Sequence, residues 1–275
     1  ALALGSGEAS LLDMVYAYIV FNTGGYMVGM PVHEDQDAPG FRTLNPVAVL
    51  RIEDADGRVL WEYGAETNTY RRRLILEPAL AYIMTDMLAD DEARQPAFGA
   101  DSPLDLARPA AIKTGTTNDN RDSWAIGYTP QIVTGVWVGN NNNHSLNDIT
   151  GTTGAAPIWN ALMEYLHTRD SLPVQEWPRP TTVVEQMVCQ TSGLLPTRHC
   201  LQERELFYLD PALPIDTRPT QSDPYWNTYD VNVCTDRLAT SSSDPACVQQ
   251  IPFFDYPPET RTWARDTGQP LPPTE

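Results

Sequence analysis

The chain has 275 residues, is 41% hydrophobic and carries seven Trp and twelve Tyr, enough apolar material to bury a sizeable core in one large or two smaller domains. Its formal charge of -18 and pI near 4.4 make most of its surface repel phosphate backbones and anionic headgroups, which argues against nucleic acid as a partner. No run of about 18 apolar residues and no basic-then-apolar leader occurs, so this segment itself is expected to make no membrane contact. The chain opens at Ala1 without Met, and upstream sequence is expected to have been cut away.

In chain order, Ser10 and Asp13 have the form of a capping box, and Leu11, Val15, Tyr18 and Ile19 recur at helical spacing before Gly24-Gly25, which offers a C-cap. A core helix is predicted there. VAVLRIEDADGRVLWEY alternates apolar residues on both sides of Asp56-Gly57 and predicts a hairpin. Arg71 to Arg73 read as a solvated charge run before the next helix, with anionic cell-wall polymers as an alternative contact. PALAYIMTDMLAD, led by Pro78, predicts a second helix with Leu80, Ile83, Met84, Met87 and Leu88 on its apolar face. The runs AAIKTGT, SWAIGY and IVTGVWVG, separated by short breaks, predict an antiparallel meander backed by helices, and AAPIWNALMEYLH predicts the helix that closes it. SLPVQEWPRPTT and LDPALPIDTRPTQSDP read as connectors, because proline continues neither a helix nor a central strand. The expected class is α+β. Residues 1–168 form the main portion, and residues 169–275 form an extension with two cysteine hairpins and a Pro-rich tail.

Four cysteines fall in two close pairs, Cys189 with Cys200 and Cys234 with Cys247, within similar local text that reads as a degenerate repeat. Two local disulfides are expected, each closing a short loop worth on the order of 3 kcal/mol and placing the chain in an oxidising compartment. Zinc is the rival, with His199 as a further ligand, but no C-x-x-C spacing supports it and no metal or cofactor is expected.

Lys113 is the only lysine in a chain with 17 arginines, and it stands in Lys113-Thr114-Gly115-Thr116. Strand alternation puts Ile112, Thr114 and Thr116 on one face and Lys113 and Gly115 on the other. A glycine inside a strand permits close approach by another backbone or a ligand. Two threonine hydroxyls beside one ammonium make a suitable carboxylate receptor, whereas the plainer alternative is a lysine guarding a strand edge. Asp119, Arg121 and Asp122 either position this region or form a solvated turn, and Trp124 and Trp137 read as core or cleft wall. His33, His144, His167 and His199 are dispersed and support no Ser/His/Asp triad.

The segment RPAAIKTGTTNDNRDSWAIGYTPQIVTGVWVGNNNN, followed by GAAPIW, resembles the C-terminal half of the transpeptidase domain of a class A penicillin-binding protein. The resemblance runs back through LGSGEASLLDMVYAYIVFNTGG and RIEDADGRVLWEY. It runs forward into VCQTSGLLPTRHC and DPYWNTYDVNVCTDRLAT, which resemble extensions found after that domain in some bacterial members. The family's signature set is S-x-x-K, S-x-N and K-T-G. Only K-T-G matches. Ala110 stands three residues before the single lysine, so no S-x-x-K exists here, and Ser145-Leu146-Asn147 spells S-x-N on the wrong side of the K-T-G strand.

The resemblance implies a peptidoglycan D,D-transpeptidase as the parent protein, acting on stem peptides ending in D-Ala-D-Ala and bound by β-lactams at the extracytoplasmic face. It implies an anchoring segment outside this sequence and an inactive chain in the absence of the serine nucleophile. Lys113 would supply positive charge toward the substrate carboxylate and assist proton transfer as the peptide nitrogen leaves. Thr114 and Thr116 would hydrogen-bond that carboxylate, and Gly115 would let the substrate backbone lie alongside as an added strand. The Thr116 amide would be one oxyanion donor. A non-catalytic extracellular binding or structural module is the alternative.

Overall fold

The computed structural model describes residues 7–33, 39–63 and 71–273. The first helix, α1 (Leu11–Asn22), starts where its cap predicts: Ser10 Oγ accepts from the Asp13 amide at 3.1 Å and donates to the Asp13 carboxylate at 2.7 Å. Beyond its last residue, Gly24 and Gly25 take φ of 69° and 95°, the left-handed backbone that ends a helix without strain at glycine.

Among the described residues, the strands β1 (Tyr26–Pro31), β2 (Leu44–Asn45), β3 (Arg51–Glu53), β4 (Val59–Glu62) and β5 (Arg71–Leu74) follow. β2-β1-β5 is one antiparallel sheet, and β3-β4 is the predicted hairpin, whose turn is tied by the Asp54 carboxylate accepting from the Asp56 and Arg58 amides. The arginine run is exposed, as a solvated charge run should be, and it also forms a strand. Arg71 to Arg73 form most of β5, with Arg72 stacked 4.2 Å from the Tyr26 ring centroid and Arg73 donating to Thr43 Oγ1 at 3.0 Å. The backbone pairs with β1 while the long side chains stay exposed, so a charge run and a strand coexist at a sheet edge.

The second helix, α2 (Pro78–Ala89), forms as expected, but its face is the opposite of the one predicted. Ala79, Ala81 and Thr85 are buried, whereas Leu80 and Met87 are 45% and 58% exposed, Met84 is exposed, and Ile83 and Leu88 are half-buried. Small residues let the helix lie close to the sheet, and Thr85 Oγ1 is tied at 2.9 Å both to the Ala81 carbonyl and to the Tyr128 hydroxyl. A short helix that the sequence did not signal, α3 (Asp91–Phe98), follows with Asp90 capping the Ala93 amide at 2.9 Å.

The meander is β6 (Ala111–Thr116), β7 (Asp122–Tyr128) and β8 (Val133–Gly139), antiparallel in that order, with Lys113 opposite Ile126, Thr116 opposite Ser123, and Trp124 opposite Trp137. A single π-helical turn, Gly151–Ala155, leads into α4 (Ala156–Arg169). Trp159 and Met163 of α4 pack with Ile112, Ala125 and Val136 on one face of the sheet. The other face meets α1 and α2 through Tyr128, which contacts Tyr18 and Thr85. Glycine makes both approaches possible: a Cβ at Gly127 would lie 2.5 Å from the Trp159 ring, and one at Gly135 would lie 2.4 Å from Val15.

The chain divides into two compact units, Ala1–Thr181 and Thr182–Glu275. In the second unit, β9 (Val183–Cys189), β10 (Gln202–Asp210) and β11 (Ile215–Asp216) form the sheet β11-β10-β9. β12 (Trp226–Asn232), β13 (Arg237–Leu238) and β14 (Val248–Phe254) form the sheet β13-β12-β14. Disulfides join Cys189 to Cys200 and Cys234 to Cys247, with Cα separations of 5.5 and 5.6 Å. Each closes the connection between two long paired strands, β9 with β10 and β12 with β14, so most of the strand pairing lies outside the cysteine loop. Two expectations change here. The connector after β10 contains β11, and the Pro-rich tail contains a helix, α5 (Pro258–Asp266), with Ala264 buried. Proline at the first helical position loses no hydrogen bond and presets φ, so Pro258 opens this helix. No helix among the described residues is long and apolar enough to cross a membrane.

Burial pushes the Tyr128 hydroxyl up from its ordinary value of 10.0 to about 12, with the Thr85 hydrogen bond acting in the opposite sense. The folded chain therefore releases this proton less readily than the unfolded chain. Stability from this group is intact below about pH 10 and is lost as pH rises toward about 12. Thermal melts of the wild type and Tyr128→Phe should differ by about 1 kcal/mol near neutral pH, for the lost hydrogen bond, then meet as pH rises into that window and reverse in order toward its upper end. A difference that stays constant with pH would contradict the assignment.

Candidate active site

β6 pairs with β7 on one side and with no strand among the described residues on the other, so the K-T-G segment lies along an open sheet edge. Lys113 and Thr116 are exposed, and Thr114 and Gly115 are half-buried. Lys113 and Gly115 leave the strand on the face that carries α1 and α2, Thr114 and Thr116 on the face that carries α4. The Lys113 ammonium donates to the Thr114 carbonyl at 2.8 Å, and the Thr116 hydroxyl accepts from the Gly151 amide at 2.9 Å. A Cβ at Gly115 would meet nothing nearer than Trp124 Cβ, at an ordinary 3.4 Å. The protein's own packing therefore does not demand a glycine there. The glycine leaves the strand without a side chain beside Trp124.

The link from β6 to β7 is pinned by Thr117 and Asp122. Thr117 Oγ1 donates to the Asp122 carboxylate and accepts from the Asp122 amide, both at 2.8 Å, and the Thr117 amide donates to the Asp122 carbonyl at 3.1 Å. The same carboxylate accepts from Trp137 Nε1 at 2.9 Å, so Asp122 ties the β6–β7 turn to β8. Asp119 and Asn120 adopt left-handed φ of 59° and 51°, which short polar side chains tolerate. Arg121 and Asp119 form an exposed pair at 3.3 Å, worth little in water. Of the three charged residues singled out in this turn, Asp122 is the one that fastens structure. Trp124 and Trp137 stand opposite each other on the Lys113 face, Trp124 half-buried and Trp137 38% exposed, and form a wall beside the strand.

Two participants escaped the sequence. Ser123 is fully buried opposite Thr116, donates to the Thr150 carbonyl at 2.8 Å and accepts from the Ala155 amide at 3.0 Å. Gly151 approaches β6 closely enough to bond Thr116. The one local signal was the pair of glycines in GTTG before a helix, because the contact itself spans 35 residues of sequence. Ser145 to Asn147 lie in a loop that reaches the site's turn through the Leu146 amide, which donates to the Asn120 carbonyl at 2.8 Å. His167 is buried on α4, bonded to Thr129 Oγ1 at 2.9 Å and the Met163 carbonyl at 2.8 Å, and His199 Nε2 lies 3.2 Å from Thr228 Oγ1. Among the described residues no three His, Cys, Asp or Glu side chains are grouped to hold a metal ion.

The mixed α/β fold resembles a penicillin-binding transpeptidase domain. It aligns with the crystal structure of penicillin-binding protein 1A from Haemophilus influenzae at a TM-score of 0.61 and 22% identity, covering 81% of this chain and 34% of that one. No family model matches the chain. Penicillin-binding protein 1A of Clostridium botulinum is 29% identical over 244 residues, 82% of this chain and 27% of the relative. Penicillin-binding protein 1A of Neisseria meningitidis is 33% identical over 167 residues, 60% of this chain and 18% of the relative. The chain is homologous to penicillin-binding protein 1A and spans 18% to 27% of the length of these curated relatives.

The pin makes a prediction of its own. Asp122→Ala removes the acceptor for both Thr117 Oγ1 and Trp137 Nε1 and should cost about 1–2 kcal/mol, read as a lowered denaturation midpoint. Asp119→Asn, in the same turn, should stay within about 0.5 kcal/mol of wild type. Equal effects would remove the distinction between pin and solvated pair.

Proposed function

We propose that this chain is the K-T-G-bearing part of a serine-type peptidoglycan D,D-transpeptidase, with the S-x-x-K and S-x-N motifs supplied by sequence of the parent protein outside these residues. The observation that carries this reading is the open edge of β6, where Lys113 and Thr116 are exposed and Gly115 places no side chain on the strand. An extended stem peptide ending in D-Ala-D-Ala adds to that edge as a further strand, held by main-chain hydrogen bonds. Lying in the plane of the sheet, it has Lys113 on one side and Thr114 and Thr116 on the other. These groups receive its terminal carboxylate, and charge-assisted hydrogen bonds of this kind are the stronger ones.

The serine oxygen then attacks the carbonyl of the penultimate D-Ala. The peptide bond breaks, the terminal D-Ala leaves as an amine that gains a proton, and an ester to the serine remains for an acceptor amine. The Thr116 amide is one donor to the oxyanion, and Lys113 assists the proton transfer. β-Lactams enter by the same route and stay on the serine. Homology to penicillin-binding protein 1A supports this assignment, and the two disulfides support an extracytoplasmic location, with an anchor outside this sequence. In domain terms, residues 1–168 are the transpeptidase part, and residues 169–275 are an extension built on two disulfide-clasped β-hairpin units. A second reading, a non-catalytic extracellular module, is favoured by one observation: no serine stands three residues before a lysine anywhere in the chain.

Lys113→Arg in the parent protein separates the two readings. Arginine keeps the charge but replaces a compact ammonium with a broad fork that does not readily deprotonate. The second-order rate of penicillin acylation should fall by about 10-fold or more, with stability within about 0.5 kcal/mol of wild type. Equal acylation rates would leave Lys113 as an edge guard and overturn the proposal. The 275-residue chain alone should give no covalent fluorescent-penicillin band on denaturing electrophoresis, and such a band would reveal a nucleophile in these residues.

A further inference from the structure

The turn before α4 is fastened to the K-T-G strand more tightly than packing alone explains. Ser123, the cross-strand partner of Thr116, spends both its hydroxyl proton and a lone pair on that turn, through Thr150 and Ala155. Thr150 and Thr153 cap each other reciprocally, fixing the first residues of the turn. A Cβ on Gly151 would lie 2.8 Å from the Gly115 carbonyl oxygen, 2.8 Å from Thr114 Cβ and 2.9 Å from the Trp124 carbonyl oxygen. One on Gly154 would lie 2.7 Å from Ser123 Oγ. No positive φ accounts for either glycine. Closeness to β6 accounts for Gly151, and closeness to Ile149 and to Ser123 of β7 accounts for Gly154.

The purpose of that closeness is visible at Thr116. A threonine hydroxyl has one proton and two lone pairs, and on an exposed strand edge its staggered rotamers compete. The Gly151 amide occupies one lone pair at 2.9 Å, while the hydroxyl proton meets no acceptor among the described residues. The oxygen is held from the α4 side, and its proton is left for a ligand on the open side.

We propose that Gly151, backed by Ser123, is a positioning residue for Thr116: it selects the rotamer in which the hydroxyl proton is presented to the terminal carboxylate of the acyl donor. This rests on β6 being the substrate strand, as proposed above. Orienting the hydroxyl in advance removes an ordering cost that would otherwise fall on substrate binding, and small misplacements of such groups lower rates strongly. Gly115 and Gly151 thus have opposite uses. The first keeps the strand free of a side chain beside Trp124, and the second brings the protein's own backbone against the strand.

Two measurements test it. In the 275-residue chain, three-bond NMR couplings at Thr116 should report one χ1 rotamer in the wild type and averaging in Gly151→Ala and in Ser123→Ala. Averaging in the wild type, or a single rotamer that survives both substitutions, overturns the proposal. In the parent protein, Gly151→Ala should slow penicillin acylation by about 10- to 100-fold. Thr116→Val should slow it comparably, and the double variant should be no slower than either single one, because both act through one hydroxyl. Thr116→Ser should retain most of the rate. Multiplying effects would mean that Gly151 acts through packing alone and would sink the positioning role. Should Gly151→Ala fail to fold, Ser123→Ala carries the same comparison. A wild-type parent that is not acylated at all would overturn the transpeptidase reading, while the couplings at Thr116 would still decide whether Gly151 orients the hydroxyl.

Discussion

The position of everything around the K-T-G strand depends on Trp159 of α4 resting on Gly127 of β7, a contact so close that a single added carbon would collide with the ring. The indole is fully buried, and its N–H meets no acceptor among the described residues. That unpaired donor costs about 1–3 kcal/mol, while truncating a buried Trp typically costs about 3–5 kcal/mol, so ring burial prevails over the lost hydrogen bond. Because the contact lies on the central strand, it sets the height and angle of α4 over the sheet. The turn at the start of α4 then falls beside β6, where Gly151 reaches Thr116.

The two faces of the sheet have separate tasks. α4 and its leading turn govern Thr114 and Thr116 from one side, and α1 and α2 support β7 and β8 from the other, through Tyr128 and Gly135. Lys113 leaves the strand on that second side, with the Trp124–Trp137 pair farther along the same face. The sheet is therefore rigid at its centre and open at its β6 edge. An edge strand is ordinarily an aggregation hazard. Here it carries the chain's only lysine, a glycine that adds no side chain to the strand, and two threonines, which suits it to take an extended peptide.

Much of this was legible in the sequence where the cause is local. The Ser10 cap, the Asp56-Gly57 turn, the three apolar runs of the meander and the α4 helix all act through neighbours a few residues apart, and all appear where expected. The buried face of α2 was misjudged because periodicity finds the larger side chains, whereas close approach to the sheet selects Ala79, Ala81 and Thr85. Arg71 to Arg73 hid a strand because pairing with β1 involves only their backbone. Pro258 hid a helix because proline stops one in its interior but starts one at its first turn. Within the site, Lys113 to Thr116 were readable as a motif. Ser123 and Gly151 were not, since their partners lie across the sheet and their roles exist only after folding.

The central claim, that the open edge of β6 receives an extended ligand, is tested most directly by amide hydrogen exchange along residues 111–116 of the parent protein before and after acylation by penicillin. The account predicts that the edge-facing amides of this strand exchange quickly in the free protein and become protected once the ligand lies along it. Unchanged exchange across Lys113 to Thr116, with protection appearing elsewhere, would contradict it.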